Sequence, residues 1–183
     1  MDASHVRDVF PEIDEIDDEA LRAGVVDAWA TAMAETDTDD LRSVQWLPPE
    51  MARLGLEDEP LVDHVRDVAA GAVALAEVLV ERRDTAVDVD TVLAGALVHD
   101  ASKLYEFDGM AKTPVGDLLG HPHYGVHVAA AAGLPVEITH IVLSHSDMSA
   151  VDPATIEAAV VQHADRAAAA AIRCEGVEDL REV

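Results

Sequence analysis

The stretch Ala94–Lys103 reads AGALVHDASK and places the adjacent pair His99-Asp100 near the end of an apolar segment. Its apolar spacing predicts a buried helix, which we place over residues 88–103. Neighbouring side chains on a helix point about 100° apart, so His99 and Asp100 can meet one ligand only along the edge that their faces share. A carboxylate in such surroundings needs a partner, and a bound metal ion satisfies it.

Further potential ligands lie on other segments with helical apolar spacing. His64 recurs with Leu61, Val68, Leu75 and Leu79, and Asp165 recurs with Val161, Ala168, Ala169 and Ile172. The ordered set of candidate metal ligands is His64, His99, Asp100, His121, His145 and Asp165. Imidazole and carboxylate ligands suit a divalent ion such as Mn, Fe, Co, Ni, Zn or Mg, and a carboxylate can bridge two ions. The sequence therefore predicts a centre for divalent metal, with two ions.

The ordered set resembles the HD superfamily of metal-dependent phosphohydrolases, whose H…HD…D pattern is matched at His64, His99, Asp100 and Asp165. The stretch HPHYG at 121–125 is similar to the HPxxG or HxxxG element of two-metal HD phosphodiesterases. GLPVEITHIVLSHS at 133–146 is similar to the helix that follows it, with His145 as the ligand. The resemblance spans about residues 61–172 and implies an all-α HD-domain bundle of five core helices.

The chain departs from two branches of that superfamily. It lacks the GYP signature and the doubled histidine of the cyclic di-GMP enzymes. It carries HDxxK where the related nucleoside 5′-monophosphatases carry HDxxE. Cyclic di-GMP is therefore not implied as the substrate, and the acid catalyst of the monophosphatases is missing. The expected reaction is hydrolysis of a nucleotide-like phosphomonoester or phosphodiester.

The resemblance also implies roles for individual residues. Asp100 would bridge both metals together with a hydroxide that attacks phosphorus, His64, His99 and Asp165 would complete one site, and His121 and His145 would hold the other. Lys103, one turn after His99, would contact the phosphoryl oxygens, although a solvated charge at a helix end is the alternative. The loop Tyr105–Leu119 would lie over the pocket.

The remaining histidines are weaker candidates. His123 is expected in the substrate pocket, and with His127 it forms an HxxxH pair that could itself bind metal. His127 and His140 are expected at the surface or in packing. His163 points away from Asp165 on the same helix, and His5 lies in an end that we expect to be mobile.

Two other functions share this ligand set. One is a diiron oxygenase of the inositol-oxygenase type, which also carries HDxxK. The other is a non-catalytic regulatory module that binds metal and nucleotide without turnover. Iron-dependent consumption of dioxygen would identify the first, and binding without turnover would identify the second.

Composition is consistent with one cytoplasmic domain. The chain has 183 residues, of which 50% are hydrophobic and only 3% aromatic, so its core requires closely approaching helices with small side chains. The single Cys174 excludes an internal disulfide and a cysteine-rich zinc site. No basic segment followed by an apolar one opens the chain, and no run of 18 apolar residues predicts a membrane span.

The charge balance is strongly acidic, with 12 basic and 37 acidic residues and a net charge of −25. Only Lys103 and Lys112 are lysines. Such a chain should repel nucleic-acid polymers, so the expected partner is a small phosphorylated substrate. The composition resembles that of halophilic cytosolic proteins, and a basic protein partner is the alternative explanation.

Three regions are expected along the chain. Residues 1–59 form an N-terminal helical extension packed on the core, with a helix at 19–35, whose role as structural cover, substrate lid or homodimer contact is open. Residues 60–176 form the catalytic domain, with helices at 60–83, 88–103, 121–132, 135–146 and 153–173. Asp152-Pro153 is expected to start the last helix, Gly133 and Gly176 are expected helix stops, and 177–183 form a frayed tail.

Overall fold

The computed structural model describes residues 3–56 and 59–182, which are mainly helical. Its α-helices are α1 (Ala3–Val9), α2 (Glu19–Glu35), α3 (Pro48–Leu54), α4 (Leu61–Arg83), α5 (Val89–Val98), α6 (Pro114–Leu118), α7 (His121–Ala131), α8 (Val136–Ser144) and α9 (Ile156–Arg173). Short 3₁₀ turns lie at Pro11–Glu15, Leu41–Ser43, Ala101–Tyr105 and Leu180–Glu182. Strands β1 (Phe107–Asp108) and β2 (Ala111–Lys112) form a small antiparallel hairpin, with Phe107 opposite Lys112.

Helices α4, α5, α7, α8 and α9 pack on one another and form the predicted five-helix core. Glycine allows two of the close approaches. A Cβ atom on Gly95 of α5 would lie 2.6 Å from Ile141 of α8, and one on Gly125 of α7 would lie 2.5 Å from Val142 of α8. The all-α bundle with small residues between its helices is thereby confirmed.

The N-terminal part of the chain packs against α5. Trp29 of α2 is fully buried, and its indole N–H donates a 2.8 Å hydrogen bond to the carbonyl of Leu97. That carbonyl belongs to the last turn of α5, where no further turn of helix satisfies it. The tryptophan therefore caps α5 two residues before His99.

A short extended segment brings the N-terminal part to the start of α4. The N–H of Trp46 donates to the carbonyl of Glu59 at 2.9 Å, and that of Leu61 donates to the carbonyl of Val44 at 2.8 Å. Because α4 begins at Leu61, this pairing places Trp46 beside the first turn of α4. His64 lies in that same turn.

Three details of the sequence interpretation are wrong. Helix α5 ends at Val98 rather than at residue 103, so the His99-Asp100 pair follows the helix and leads into a 3₁₀ turn. The last helix is capped by the side chain of Thr155, which accepts from the N–H of Ala158, and not by Asp152. Leu75, assigned to the apolar face of His64, is exposed.

The expectations for the helix stops, for His5 and for membrane spans can also be compared with the structure. Gly133 follows α7 with a positive φ of 75°, as a helix stop does, whereas Gly176 lies beyond the end of α9 without one. His5 lies within α1, and its Nε2 accepts from the N–H of Leu41 at 3.3 Å. Among residues 3–56 and 59–182, no helix is long and apolar enough to cross a membrane.

Candidate metal centre

The six predicted ligands come from separate elements and meet at one place in the core. His64 lies on α4, the His99-Asp100 pair follows α5, His121 is the first residue of α7, His145 follows α8, and Asp165 lies on α9. Five of the six are buried, and Asp165 is 15% exposed at its side chain. The ends of several helices thus bring a polar cluster into an otherwise apolar interior.

Asp100 lies between two pairs of imidazoles, and each of its oxygens faces one pair. Oδ2 is 3.5 Å from Nε2 of His64 and 3.4 Å from Nε2 of His99. Oδ1 is 3.3 Å from Nε2 of His121 and 3.5 Å from Nε2 of His145. Two groups that could hold a metal follow from this arrangement, and Asp100 belongs to both.

Asp165 completes the His64 side of the cluster. Its Oδ1 lies 3.1 Å from Nε2 of His64 and 3.8 Å from Nε2 of His99. The carboxylate therefore faces the same two nitrogens as Oδ2 of Asp100. Its predicted role as a metal ligand together with His64 and His99 stays a prediction.

Three of the imidazoles are oriented by a hydrogen bond from their other nitrogen. Nδ1 of His99 lies 2.6 Å from the carbonyl of Ala96, and Nδ1 of His145 lies 2.7 Å from the carbonyl of Val142. Nδ1 of His121 lies 3.0 Å from Oε2 of Glu106. Because a carbonyl or carboxylate oxygen only accepts, each Nδ1 carries the proton, and each Nε2 turns a lone pair towards Asp100.

Several polar atoms at the centre lack a hydrogen bond of good geometry within the described part of the chain. They are both ring nitrogens of His64, Nε2 of His99 and Oδ1 of Asp100. In addition, Nε2 of His121 and Nε2 of His145 face each other at 3.3 Å. Converging lone pairs and an unpaired buried carboxylate oxygen are unfavourable unless a cation lies between them, so this donor set fits divalent metal.

The protonation preferences of His64, His121 and Asp100 agree with metal binding. At His99, by contrast, burial opposes the charged form, but the charge of Asp100 and the other acceptors around the ring together outweigh it and raise the pKa. Burial, followed by the charge of Lys103, lowers the pKa of His121 to about 4, so its imidazole is neutral at neutral pH. Burial also lowers the pKa of His64. Burial opposes ionisation of Asp100, but Lys103 and the surrounding imidazoles outweigh it and hold the pKa of that carboxyl well below its usual range.

Lys103 lies at the wall of the centre in the 3₁₀ turn after the HD pair. Its side chain is only 6% exposed, and Nζ is 3.8 Å from Oδ2 of Asp100 and 3.9 Å from Oε2 of Glu106. A buried ammonium in this position is inconsistent with the alternative of a solvated helix-end charge. It can approach a group bound at the metals without itself binding metal, since it has no lone pair when protonated.

A cavity of about 390 Å³ opens beside Asp100. It is lined by Trp46, Leu47, Asp100, Lys103, Glu106, His121, His145, Ser146, Asp147, Met148, Asp165, Arg166, Ala169 and Arg173. Both polar and apolar side chains thus surround the candidate ligands. The loop Tyr105–Leu119 was expected over this cavity, but of its residues only Glu106 is among those that line it. Residues Phe107–Met110 line a second cavity, which Lys103 also lines.

The remaining histidines lie away from the centre. His123, expected in the pocket, is exposed, does not line the cavity, and approaches the carbonyl of Leu119 with Nδ1 at 3.1 Å. His127 is exposed and packs on Tyr124, and His163 is exposed, with Nδ1 on the carbonyl of Ala159. His140 accepts a 2.8 Å hydrogen bond from the N–H of Ala154.

The sequence interpretation missed three residues of the site. Glu106 is buried against His121, Trp46 stacks on His64 with ring centroids 4.5 Å apart, and Arg173 lines the cavity. Glu106 directly follows the turn Ala101–Tyr105 and lies three residues after Lys103, a spacing that was a usable signal. Trp46 and Arg173 gave no such signal in the sequence, because their positions in the site depend on contacts between segments that are distant along the chain.

The comparisons with known proteins agree with this geometry. The family model described as HD domain matches residues 61–170. A dihydroneopterin 2′,3′-cyclic phosphate phosphodiesterase of Methanocaldococcus jannaschii is 31% identical over 161 residues, which are 84% of this chain and 65% of that protein. No solved structure matches the chain significantly.

The family match begins at the first residue of α4 and ends in the last turns of α9, and it contains all six predicted ligands. The similar archaeal protein is named as a phosphodiesterase, and the chain spans about two thirds (65%) of its length. The chain belongs to the HD domain family.

Proposed function

We propose that this chain hydrolyses a small phosphoester at two divalent metal ions that share Asp100 as a ligand. The observation that carries the proposal is the position of Asp100, whose two oxygens face separate pairs of imidazole Nε2 atoms at 3.3 to 3.5 Å. A carboxylate placed in this way suits a bridge between two ions. His64, His99 and Asp165 would hold one ion, and His121 and His145 would hold the other.

Two divalent ions in such a centre supply Lewis acidity towards phosphoryl oxygens and lower the pKa of bound water. The chain itself supplies orientation and charge. The carbonyls of Ala96 and Val142 and the carboxylate of Glu106 fix three of the imidazoles with Nε2 directed inwards. The ammonium of Lys103 would stabilise negative charge on the phosphoryl oxygens as it develops.

The substrate class that we propose is a small phosphodiester, with 2′,3′-cyclic phosphates first among them. The similar archaeal enzyme is named for a cyclic phosphate substrate. A cavity of about 390 Å³ has room for a compound of this size. Because the alignment covers 65% of that relative, the organic group of the substrate is left open.

A substrate and metal panel tests the proposal. The purified chain would be incubated in molar KCl with Mn, Co, Ni or Mg and with 2′,3′-cyclic nucleotides, 3′,5′-cyclic nucleotides, dinucleotides or phosphomonoesters. We expect metal-dependent turnover that is highest with a cyclic phosphodiester and is lost in Asp100→Ala. Absence of turnover with every ester would contradict hydrolysis, and iron-dependent uptake of dioxygen would favour the oxygenase instead.

A further inference from the structure

The N-terminal part of the chain forms one wall of the metal cavity. Trp46 and Leu47 line it, although both precede the residues that the family model matches. The Trp46 indole contacts functional groups on several sides. It stacks on His64, with Nζ of Lys103 5.7 Å and Cζ of Arg173 5.3 Å from its ring centroid.

Arg173 is bound at this wall by Glu50 of α3 through two hydrogen bonds. Nε of Arg173 donates to Oε1 of Glu50 at 3.0 Å, and its Nη2 donates to Oε2 at 3.1 Å. The hydrogen bond from Arg173 lowers the pKa of Glu50, so the partner carboxylate stays ionised. A guanidinium anchored by a bidentate pair and an aromatic face loses little conformational entropy when it binds a further group.

Basic residues are scarce in this chain, which makes their position informative. Of the 12 in the sequence, three line the metal cavity, namely Lys103, Arg166 and Arg173. Arg166 is paired with Asp147 at an exposed position. Lys103 and Arg173 are less exposed, at 6% and 28%, and both lie against the same indole.

We propose that Arg173, positioned by Glu50 and Trp46, binds an anionic oxygen of the substrate or product phosphate beside Lys103. The inference rests on the proposed function and adds a binding residue to it. It also gives residues 44–50 a role, because the N-terminal part would then complete the substrate site. The ligand class is a phosphate oxyanion, and inorganic phosphate is the simplest member of that class.

The competing explanation is that Arg173 only joins α9 to the N-terminal part. The chain offers a matched control in Arg66 of α4, whose Nε donates to Oε1 of Glu12 at 2.8 Å. This pair also joins the N-terminal part to the core, but Arg66 does not line the metal cavity. A purely structural role predicts similar effects from removing either arginine.

Calorimetric titration of the Mn-loaded protein with inorganic phosphate tests the proposal. Arg173→Ala should weaken phosphate binding about tenfold or more, the loss typical of a charged hydrogen bond. Arg66→Ala should leave the dissociation constant within about twofold, and Mn content should be unchanged in both. If Arg173→Ala folds poorly, Arg173→Gln keeps a polar side chain at this position without the charge, and we expect the same loss.

Equal phosphate affinity in wild type and Arg173→Gln would overturn the subsite, as would equal losses in Arg173→Gln and Arg66→Ala. Absence of phosphate binding by the Mn-loaded wild type would overturn it too. These results are distinct from failure of the proposed function. A protein that binds phosphate through Arg173 but turns over no ester supports the subsite and contradicts hydrolysis.

Discussion

The two sides of Asp100 are built differently. On one side, both imidazoles have Nδ1 fixed by an acceptor, Glu106 for His121 and the carbonyl of Val142 for His145. On the other side, the carbonyl of Ala96 fixes His99 in the same way. Nδ1 of His64, however, has no hydrogen-bond partner within the described residues.

His64 is instead oriented by packing, since Trp46 stacks on its ring and Asp165 lies 3.1 Å from its Nε2. One half of the centre is therefore oriented by hydrogen bonds within the family core. The other half depends in part on a residue that comes from outside it. Substitutions should therefore affect the two halves unequally unless they remove what the halves share.

Asp100→Ala removes the shared ligand and should have the largest effect. We expect turnover to be abolished and metal content to fall on both sides, because four Nε2 atoms would face each other without their central anion. Metal analysis and kinetics of the purified variant check this. His163→Ala, which removes an exposed histidine of α9, is the control, and retention of metals at the wild-type rate in Asp100→Ala would show that Asp100 is not the bridge.

Lys103→Ala should leave metal binding on both sides of Asp100 unchanged and should slow the hydrolytic reaction. Loss of a cationic contact that strengthens in the transition state costs about a hundredfold in turnover, while the metals stay bound. Steady-state kinetics with metal analysis measures both quantities. Lys112→Ala removes the other lysine, which is exposed, and should be neutral; equal kinetics for the two variants would remove Lys103 from the mechanism.

Glu106→Gln should affect the His121 side alone. The amide is a weaker acceptor for Nδ1 of His121, and loss of such an outer partner typically costs about tenfold or more in metal affinity. Titration with Mn should then show one site weakened and one unchanged. The control is Glu137→Gln, an exposed glutamate in the first turn of α8. Equal weakening of both sites would mean that the halves are not independently oriented.

Salt should stabilise the fold by screening the charged surface and should leave metal binding on both sides of Asp100 unchanged. Molar KCl shortens the Debye length to about 3 Å and screens repulsion among 37 acidic residues that face only 12 basic ones. We expect the melting temperature to rise by several degrees from millimolar to molar KCl, with constant metal content. A flat or falling melting temperature would favour a basic protein partner as the reason for the acidity.

The structure places the six predicted ligands together, and four of them carry a local signal in the sequence. His99-Asp100 is a dipeptide in an apolar run, and His64 and Asp165 interrupt apolar helix faces. The end of α5 was missed because Ala101 and Leu104 continue the apolar spacing, although they are buried in a 3₁₀ turn. Periodicity alone does not distinguish that turn from the last turn of an α-helix.

The wall of the cavity was not predictable in the same way. Trp46 is placed by the pairing of residues 44–46 with 59–61, and Arg173 by its ion pair with Glu50, 123 residues earlier. Such contacts depend on tertiary structure and leave no periodic pattern in the sequence. His123 shows the opposite error, since it was expected in the substrate pocket but is exposed and does not line the cavity.

A crystal structure of the Mn-soaked protein with anomalous scattering data would show directly whether two metal ions share Asp100. We predict two Mn ions about 3.5 to 4 Å apart, each bound to one oxygen of Asp100. His64, His99 and Asp165 should bind one ion, and His121 and His145 the other. A single fully occupied ion, with His121 and His145 turned away from it, would contradict the two-metal account.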